Sequence, residues 1–181
     1  MAAQEGARGL EYAVVARRRD ADGSVAGARE ALVELDTSLA GRPDALNPAE
    51  LLLAALGACM IKGIERVSPL IRFSFRSAEV RLHAVRQDDP PKIVSIDYEL
   101  IVDSDESDRR LELLHTNVRK YGTVSNTLDA AVRLTGTVRR AEYRCPVSFS
   151  DITAHHQGAQ FAASQSLRPA LEVGSSPRCA V

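Results

Sequence analysis

The segment 47-NPAELLLAALGACM-60 has the features of a helix that begins at its own cap. Asn47 can accept hydrogen bonds from the first turn, Pro48 suits the first helical position, and Glu50 completes a box-like arrangement. Apolar residues then occupy nearly every face from Leu51 to Ile61, and such a helix has to be enclosed on all sides. One chain of 181 residues can hardly enclose it, so we expect a homodimer.

The helix is predicted to end near Val67, before Ser68-Pro69, because the residue that precedes a proline disfavours helical geometry. The segments around it alternate between apolar and polar residues, as strands do. They predict a first hairpin from strands 10–16 and 28–35 and a second hairpin from strands 72–85 and 92–102. Two further helices, 104–121 and 125–130, and a closing strand, 132–139, are predicted to follow. This order predicts one α+β domain over residues 1–141 and a poorly ordered tail over residues 142–181.

Composition and charge narrow the classes of function. The formal net charge of -1 at pH 7 gives no reason to expect binding to nucleic acid or to an anionic membrane. The longest apolar stretch is too short to cross a bilayer, and the N-terminus lacks the apolar run of a signal peptide. Three cysteines, Cys59, Cys145 and Cys179, are too few for a disulfide scaffold. We therefore expect a cytoplasmic protein.

Cys59 is the candidate reactive thiol, although its position alone favours a packing role. A cysteine must ionise to act as a nucleophile, and the helix dipole gives little help so far from the first turn. A cation would have to come from elsewhere, and the run Arg17-Arg18-Arg19 is one source. Strand alternation would point Arg17 and Arg19 one way and Arg18 the other. By itself this run is more typical of a solvated strand end.

The remaining titratable residues have simpler interpretations. Glu50 lies nine positions before Cys59, about half a turn out of alignment, so a cap is favoured over a role in orienting an arginine. His83 and His115 are more typical of satisfied histidines than of catalytic bases. No cysteine and histidine cluster has zinc spacing, and no glycine-rich phosphate loop is present, so no metal or cofactor is expected.

Two segments, 47-NPAELLLAALGACM-60 and 124-VSNTL-128, resemble the first and second motifs of the OsmC and organic hydroperoxide resistance family. The order of elements also matches, and the resemblance covers residues 10–140. It implies an OsmC-like α+β fold in which antiparallel sheets wrap around a long, buried central helix. It further implies an intertwined homodimer with two sites at the subunit interface.

The resemblance also implies an activity. Active members of this family are peroxiredoxin-like enzymes of the oxidative stress response, which reduce organic hydroperoxides and are regenerated by an external thiol. Their peroxidatic cysteine corresponds to Cys59, which an arginine and a glutamate hold as a thiolate. The arginine corresponds best to Arg19, with Arg17 or Arg18 as fallbacks, and Glu50 is the nearest glutamate.

The sequence departs from the family pattern at three positions. The family's resolving cysteine falls at Gly122, and the proline that follows it falls at Thr123. The glutamate that orients the arginine falls at Ala49, and Glu50 would point about 100° away on the helix. Cys145 would serve as a resolving cysteine only if the tail folds back.

Two functions therefore remain open at this stage. The first is a thiol-dependent peroxidase, in which Cys59 attacks the hydroperoxide and an external or tail thiol resolves it. The second is a non-catalytic homodimer that binds an apolar small molecule at its interface, with Cys59 buried and inert. A redox-sensing role through Cys145 and Cys179 is a third and weaker hypothesis.

Overall fold

The computed structural model describes residues 9–142, and this part of the chain has an α+β architecture. It contains two three-stranded sheets and three helices. In chain order they are β1 Val15–Arg18, β2 Gly23–Ala28, β3 Ala31–Asp36, α1 Pro48–Ile71, β4 Ser77–Gln87, β5 Lys92–Asp103, α2 Asp108–Tyr121, α3 Thr123–Asp129 and β6 Arg133–Arg140. The predicted tail, with Cys145 and Cys179, lies outside the described residues.

The start of helix α1 confirms the predicted capping box. The side-chain oxygen of Asn47 accepts hydrogen bonds from the backbone N–H groups of Ala49 and Glu50, at 2.9 and 3.0 Å. The Glu50 carboxylate in turn accepts from the Asn47 N–H at 2.9 Å. Together these bonds satisfy donors that a helix otherwise leaves without partners at its first turn.

The end of helix α1 was predicted too early. The helix continues through Ser68 and Pro69 to Ile71 and ends where Arg72 adopts a left-handed conformation with φ 53°. Pro69 lies in the last turn, so it removes one backbone hydrogen bond without interrupting a longer ladder. Packing of Ile71 against the hydrophobic core favours the extra turn over the local preference of the Ser-Pro pair.

Sheet β4–β6 confirms the second predicted hairpin and the presence of the closing strand, but not the direction of that closing strand. Strands β4 and β5 pair antiparallel, whereas β6 pairs with β5 in parallel. The prediction of wholly antiparallel sheets was therefore wrong at β6. Helices α2 and α3 connect β5 to β6, and a helical crossover of this length allows the second strand to run in the same direction as the first.

The hydrophobic core lies between helix α1, sheet β4–β6 and helix α2. From α1 it takes Leu56, Met60, Ile64 and Val67, each no more than 1% exposed. From the sheet and from α2 it takes a second apolar set: Ile96, Tyr98, Leu100, Val102, Leu134, Leu111, Leu114 and Val118. Complete burial of one such aliphatic side chain stabilises a fold by roughly 1.5–3 kcal/mol.

The N-terminal part of the chain forms a three-stranded sheet instead of the predicted two-stranded hairpin. Strand β2, Gly23–Ala28, was missed because its sequence GSVAGA has little apolar alternation. It pairs antiparallel with both β1 and β3. No residue of this sheet belongs to the hydrophobic core cluster.

One further finding concerns membranes. Among residues 9–142, no helix is both long enough and apolar enough to cross a bilayer.

Candidate functional site around Cys59

Helix α1 has a buried apolar face and an exposed apolar face, and Cys59 lies at the border between them. Ala54, Ala55, Ala58 and Ile61 are exposed, opposite the residues that enter the core. Cys59 is half-buried and is the free cysteine of the described residues. The thiol therefore lies where an apolar molecule on the exposed face could meet it.

Helices α1 and α2 run antiparallel, and two contacts give their register. A Cβ added at Gly63 would lie 3.1 Å from Cγ1 of Val118. Eight residues later on α1, the Ile71 carbonyl accepts a hydrogen bond from the Arg110 guanidinium at 2.9 Å. As the residue number on α1 increases from 63 to 71, the residue number of its partner on α2 therefore decreases from 118 to 110. One turn before Gly63, the same register sets Cys59 opposite position 122 at the end of α2.

Position 122 is a buried glycine that caps the short helix α3. This helix begins at Thr123, two residues before the start predicted at residue 125, so Ser125 lies inside it. A Cβ added at Gly122 would be 2.8 Å from the Ser125 hydroxyl and 3.1 Å from the Val118 carbonyl. A side chain at this position would have to displace the hydroxyl, so the glycine and the placement of Ser125 depend on each other.

The predicted arginine, Arg19, forms an ion pair with Glu34 and not with the Cys59 thiol. Its guanidinium lies 2.7 Å from the carboxylate of Glu34 on β3, with both side chains about half exposed. The strand register places Arg17, Val25 and Glu34 in one row across the sheet, which puts Arg17 on the face of Glu34 as well.

Arg18 lies on the other face of sheet β1–β3. Its row continues through Ser24 to Leu35, and the adjacent row on that face is Ala16, Ala26 and Val33. We name this surface the Arg18 face. Its side chains other than Arg18 are small or apolar, whereas the opposite face holds the Arg19–Glu34 ion pair.

Glu50, the third predicted site residue, acts as the helix cap described above. Its carboxylate does not contact Arg19, whose carboxylate partner is Glu34. Within the described part of a single chain, the three predicted site residues are therefore not brought together. Their joint role stays a prediction that requires a second subunit.

A second polar cluster lies between β5 and α2, and no pattern in the sequence predicts which partners its members have. The Tyr98 hydroxyl and Nε2 of His115 are 2.6 Å apart, and the Arg119 guanidinium lies 5.9 Å from the centre of the Tyr98 ring. Burial raises the pKa of Tyr98 and lowers the pKa of His115, so both groups stay neutral near pH 7. His115 is thus the satisfied histidine that its position predicted.

The chain matches the family model described as OsmC-like protein over residues 41–137. No curated protein matches it in sequence. Among solved structures, an OsmC-like protein from Mycoplasma pneumoniae superposes with a TM-score of 0.67 at 17% identity, covering 74% of this chain and 99% of that one.

Two further solved structures also superpose on this chain. The organic hydroperoxide resistance protein OsmC from Legionella pneumophila gives a TM-score of 0.59 at 18% identity, covering 72% of this chain and 98% of that one. The organic hydroperoxide resistance protein OhrB of Bacillus subtilis gives 0.52 at 17% identity, with 72% and 98% covered. At these identities the structures establish a shared fold.

Proposed function

Because the chain belongs to the family of OsmC-like proteins, we propose that it is a thiol-dependent peroxidase that reduces organic hydroperoxides through Cys59. One observation carries this proposal. Cys59 is half-buried beside an exposed apolar surface of Ala54, Ala55, Ala58 and Ile61. Such a surface would hold the hydrocarbon part of an organic hydroperoxide while its oxygens meet the sulfur.

The proposed reaction begins with attack of the Cys59 thiolate on one peroxide oxygen. An S–O bond forms and the O–O bond breaks, so that the sulfur is oxidised by two electrons and the peroxide is reduced. The leaving alkoxide takes up a proton and departs as an alcohol, and the protein is left with a sulfenic acid. A thiol then attacks the sulfenic sulfur, water leaves, and a mixed disulfide forms.

An external thiol completes the cycle in this proposal. Position 122, which the helix register sets opposite Cys59, carries no sulfur. A second external thiol would attack the mixed disulfide, release Cys59 and leave as the oxidised disulfide. Cys145 lies outside the described residues, and its role as a resolving cysteine stays a prediction.

We also propose that the functional unit is a homodimer. The exposed apolar face of α1 and the Val33 row of the Arg18 face are uncovered in the described chain, whereas Ser24 and Leu35 in the other row of that face are each only 8% exposed. Ile61 and Val33 are 42% and 45% exposed on these two surfaces. Packing the sheet of one subunit on the helix of its partner would cover both surfaces at once, which is the arrangement that hydrophobic burial favours.

This packing would bring Arg18, instead of Arg19, to the partner's reactive thiol. Arg18 is the arginine of the run that shares a face with Ala26, Val33 and Leu35, whereas Arg19 pairs with Glu34 on the opposite face. Arginine stays charged at all relevant pH values and offers a planar set of donors. It would stabilise the thiolate and the departing alkoxide.

The proposal is tested by measuring consumption of cumene hydroperoxide with a monothiol as reductant. We expect turnover by the wild-type protein, loss of turnover in Cys59→Ser, and retained turnover in the matched control Cys145→Ser. Hydrogen peroxide should be a poorer substrate, because it lacks the hydrocarbon part. Equal rates for wild type and Cys59→Ser would contradict the proposal and favour a non-catalytic dimer that binds an apolar small molecule.

A further inference from the structure

Two buried hydroxyl groups have no hydrogen-bond partner within the described part of the chain: those of Ser68 and Ser125. Ser125 is 1% exposed and Ser68 is 6% exposed. Buried polar groups are nearly always paired, because an unpaired one loses its bonds to water without compensation. An unpaired buried hydroxyl next to a reactive site therefore suggests a partner that arrives during the reaction.

Ser125 lies at such a place. Its hydroxyl occupies the space in which a side chain at position 122 would begin, since a Cβ there would be only 2.8 Å away. The α1–α2 register sets position 122 opposite Cys59, through the Gly63–Val118 and Ile71–Arg110 contacts. Ser68 differs in this respect. It lies nine residues beyond Cys59 on α1, at a distance of about 13 Å along the helix axis.

We propose that the Ser125 hydroxyl is a hydrogen-bond donor to the oxygen that Cys59 acquires from the hydroperoxide. This inference rests on the proposed peroxidase function. In the reduced protein the sulfur carries no oxygen and the hydroxyl has no acceptor. When the S–O bond forms and the alkoxide leaves as an alcohol, the new oxygen lies between the sulfur and Ser125 and accepts this bond.

The glycine at position 122 makes this arrangement possible. A cysteine side chain there would displace the Ser125 hydroxyl, whereas glycine leaves it in place. The hydroxyl would hold the sulfenic oxygen while a thiol attacks the sulfur. It would thereby favour reduction by the external thiol over further oxidation to the sulfinic acid. In this chain a hydrogen-bond donor thus takes the place of a second thiol.

The test compares Ser125→Ala with the matched control Ser68→Ala, which removes the other unpaired hydroxyl. Three quantities are measured for each protein: the rate of Cys59 oxidation by cumene hydroperoxide, the rate of Cys59 alkylation by iodoacetamide, and the melting temperature. We expect oxidation in Ser125→Ala to slow by about tenfold, the order of one hydrogen bond to a charged group. The alkylation rate should be unchanged, because alkylation transfers no oxygen to the sulfur. The melting temperature should not fall, because the substitution removes no hydrogen bond of the reduced protein.

Each result decides between interpretations. Ser68→Ala should match wild type in both rates. Equal oxidation rates for Ser125→Ala and wild type would overturn this inference and leave the proposed function intact. A parallel fall in oxidation and alkylation would also overturn it, because that pattern means displacement of Cys59 itself. A wild-type Cys59 no faster than free cysteine would overturn the proposed function, and this inference with it.

Discussion

The two three-stranded sheets of this protein differ in what they pack against. Sheet β4–β6 contributes Ile96, Leu100 and Val102 to the core, all fully buried against the helices. Sheet β1–β3 contributes no residue to that core and exposes Leu32 and Val33. We call sheet β4–β6 with the three helices the packed half, and sheet β1–β3 the incomplete half, and this difference is the basis of the homodimer proposed above.

The largest expected effect concerns the packed sheet. Leu100→Ala should lower the free energy of unfolding by about 2–5 kcal/mol, because it leaves a cavity in a fully buried site. Leu32→Ala in the other sheet, at a residue 74% exposed, should change it by less than about 0.5 kcal/mol. Urea denaturation measures both. Similar losses for the two variants would contradict the contrast between the sheets.

The next prediction concerns the Arg18 face. Val33→Asp should convert the dimer to a monomer, because it places a charge in the proposed subunit contact. Sedimentation velocity should show a dimer for wild type and for the matched control Leu32→Asp, whose side chain lies on the opposite face of the sheet. Circular dichroism verifies that both variants are folded. A monomeric Leu32→Asp together with a dimeric Val33→Asp would contradict the proposal and place the subunit contact on the opposite face of the sheet.

A third prediction tests the helix register in the packed half. Gly122→Cys combined with Ser125→Ala, which removes the hydroxyl that would lie closest to the new Cβ, at 2.8 Å, should form a disulfide with Cys59 after mild oxidation. Mass spectrometry of non-reduced peptides detects the linkage. The control is Leu113→Cys, at an exposed position of α2, and this cysteine should form no disulfide with Cys59. Absence of the disulfide in the double variant would mean that position 122 does not lie opposite Cys59.

A smaller effect should separate the arginines of the incomplete half. Arg18→Ala should slow oxidation of Cys59 by cumene hydroperoxide by about tenfold or more, because it removes the cation that the proposed dimer brings to the thiolate. Arg19→Ala should have little effect, since its loss breaks only a half-exposed ion pair with Glu34. The opposite ranking would restore Arg19 as the residue that the family resemblance indicates.

The smallest effect concerns pH and the Tyr98–His115 pair of the packed half. Burial lowers the pKa of folded His115 below its unfolded value of 6.5. As the pH falls below 6.5, the unfolded chain therefore binds more protons than the folded chain does. The stability contributed by neutral His115 is thus present above pH 6.5 and lost below it. Melting temperatures between pH 7.5 and 5.5 should fall less steeply in His115→Gln than in wild type. Parallel curves would show that His115 does not contribute.

Much of the packed half could be predicted from the sequence, because its local signals agree. The Asn47 cap, the β4–β5 hairpin and helix α2 follow from capping residues and apolar periodicity. Strand β2 could not be predicted, since its small residues carry no periodic pattern. The parallel direction of β6 also has no local signal, because it depends on how α2 and α3 cross over the sheet.

The candidate site was less predictable than the fold. Cys59 could be identified from its motif, but the face on which each arginine lies depends on the register of three strands. The unpaired hydroxyl of Ser125 depends on burial and on the contact with Gly122, which no spacing in the sequence encodes. Residues from separate elements meet only after the tertiary structure has formed.

The most direct test of the central claim is the second-order rate constant for oxidation of Cys59 by cumene hydroperoxide. It is measured by mass spectrometry of the remaining thiol, with free cysteine as the reference and Cys59→Ser as the control. The proposed function predicts a rate at least about a hundredfold above that of free cysteine, the order that one pre-positioned donor supplies. A rate equal to that of free cysteine would contradict it and leave a dimeric binding protein on this scaffold.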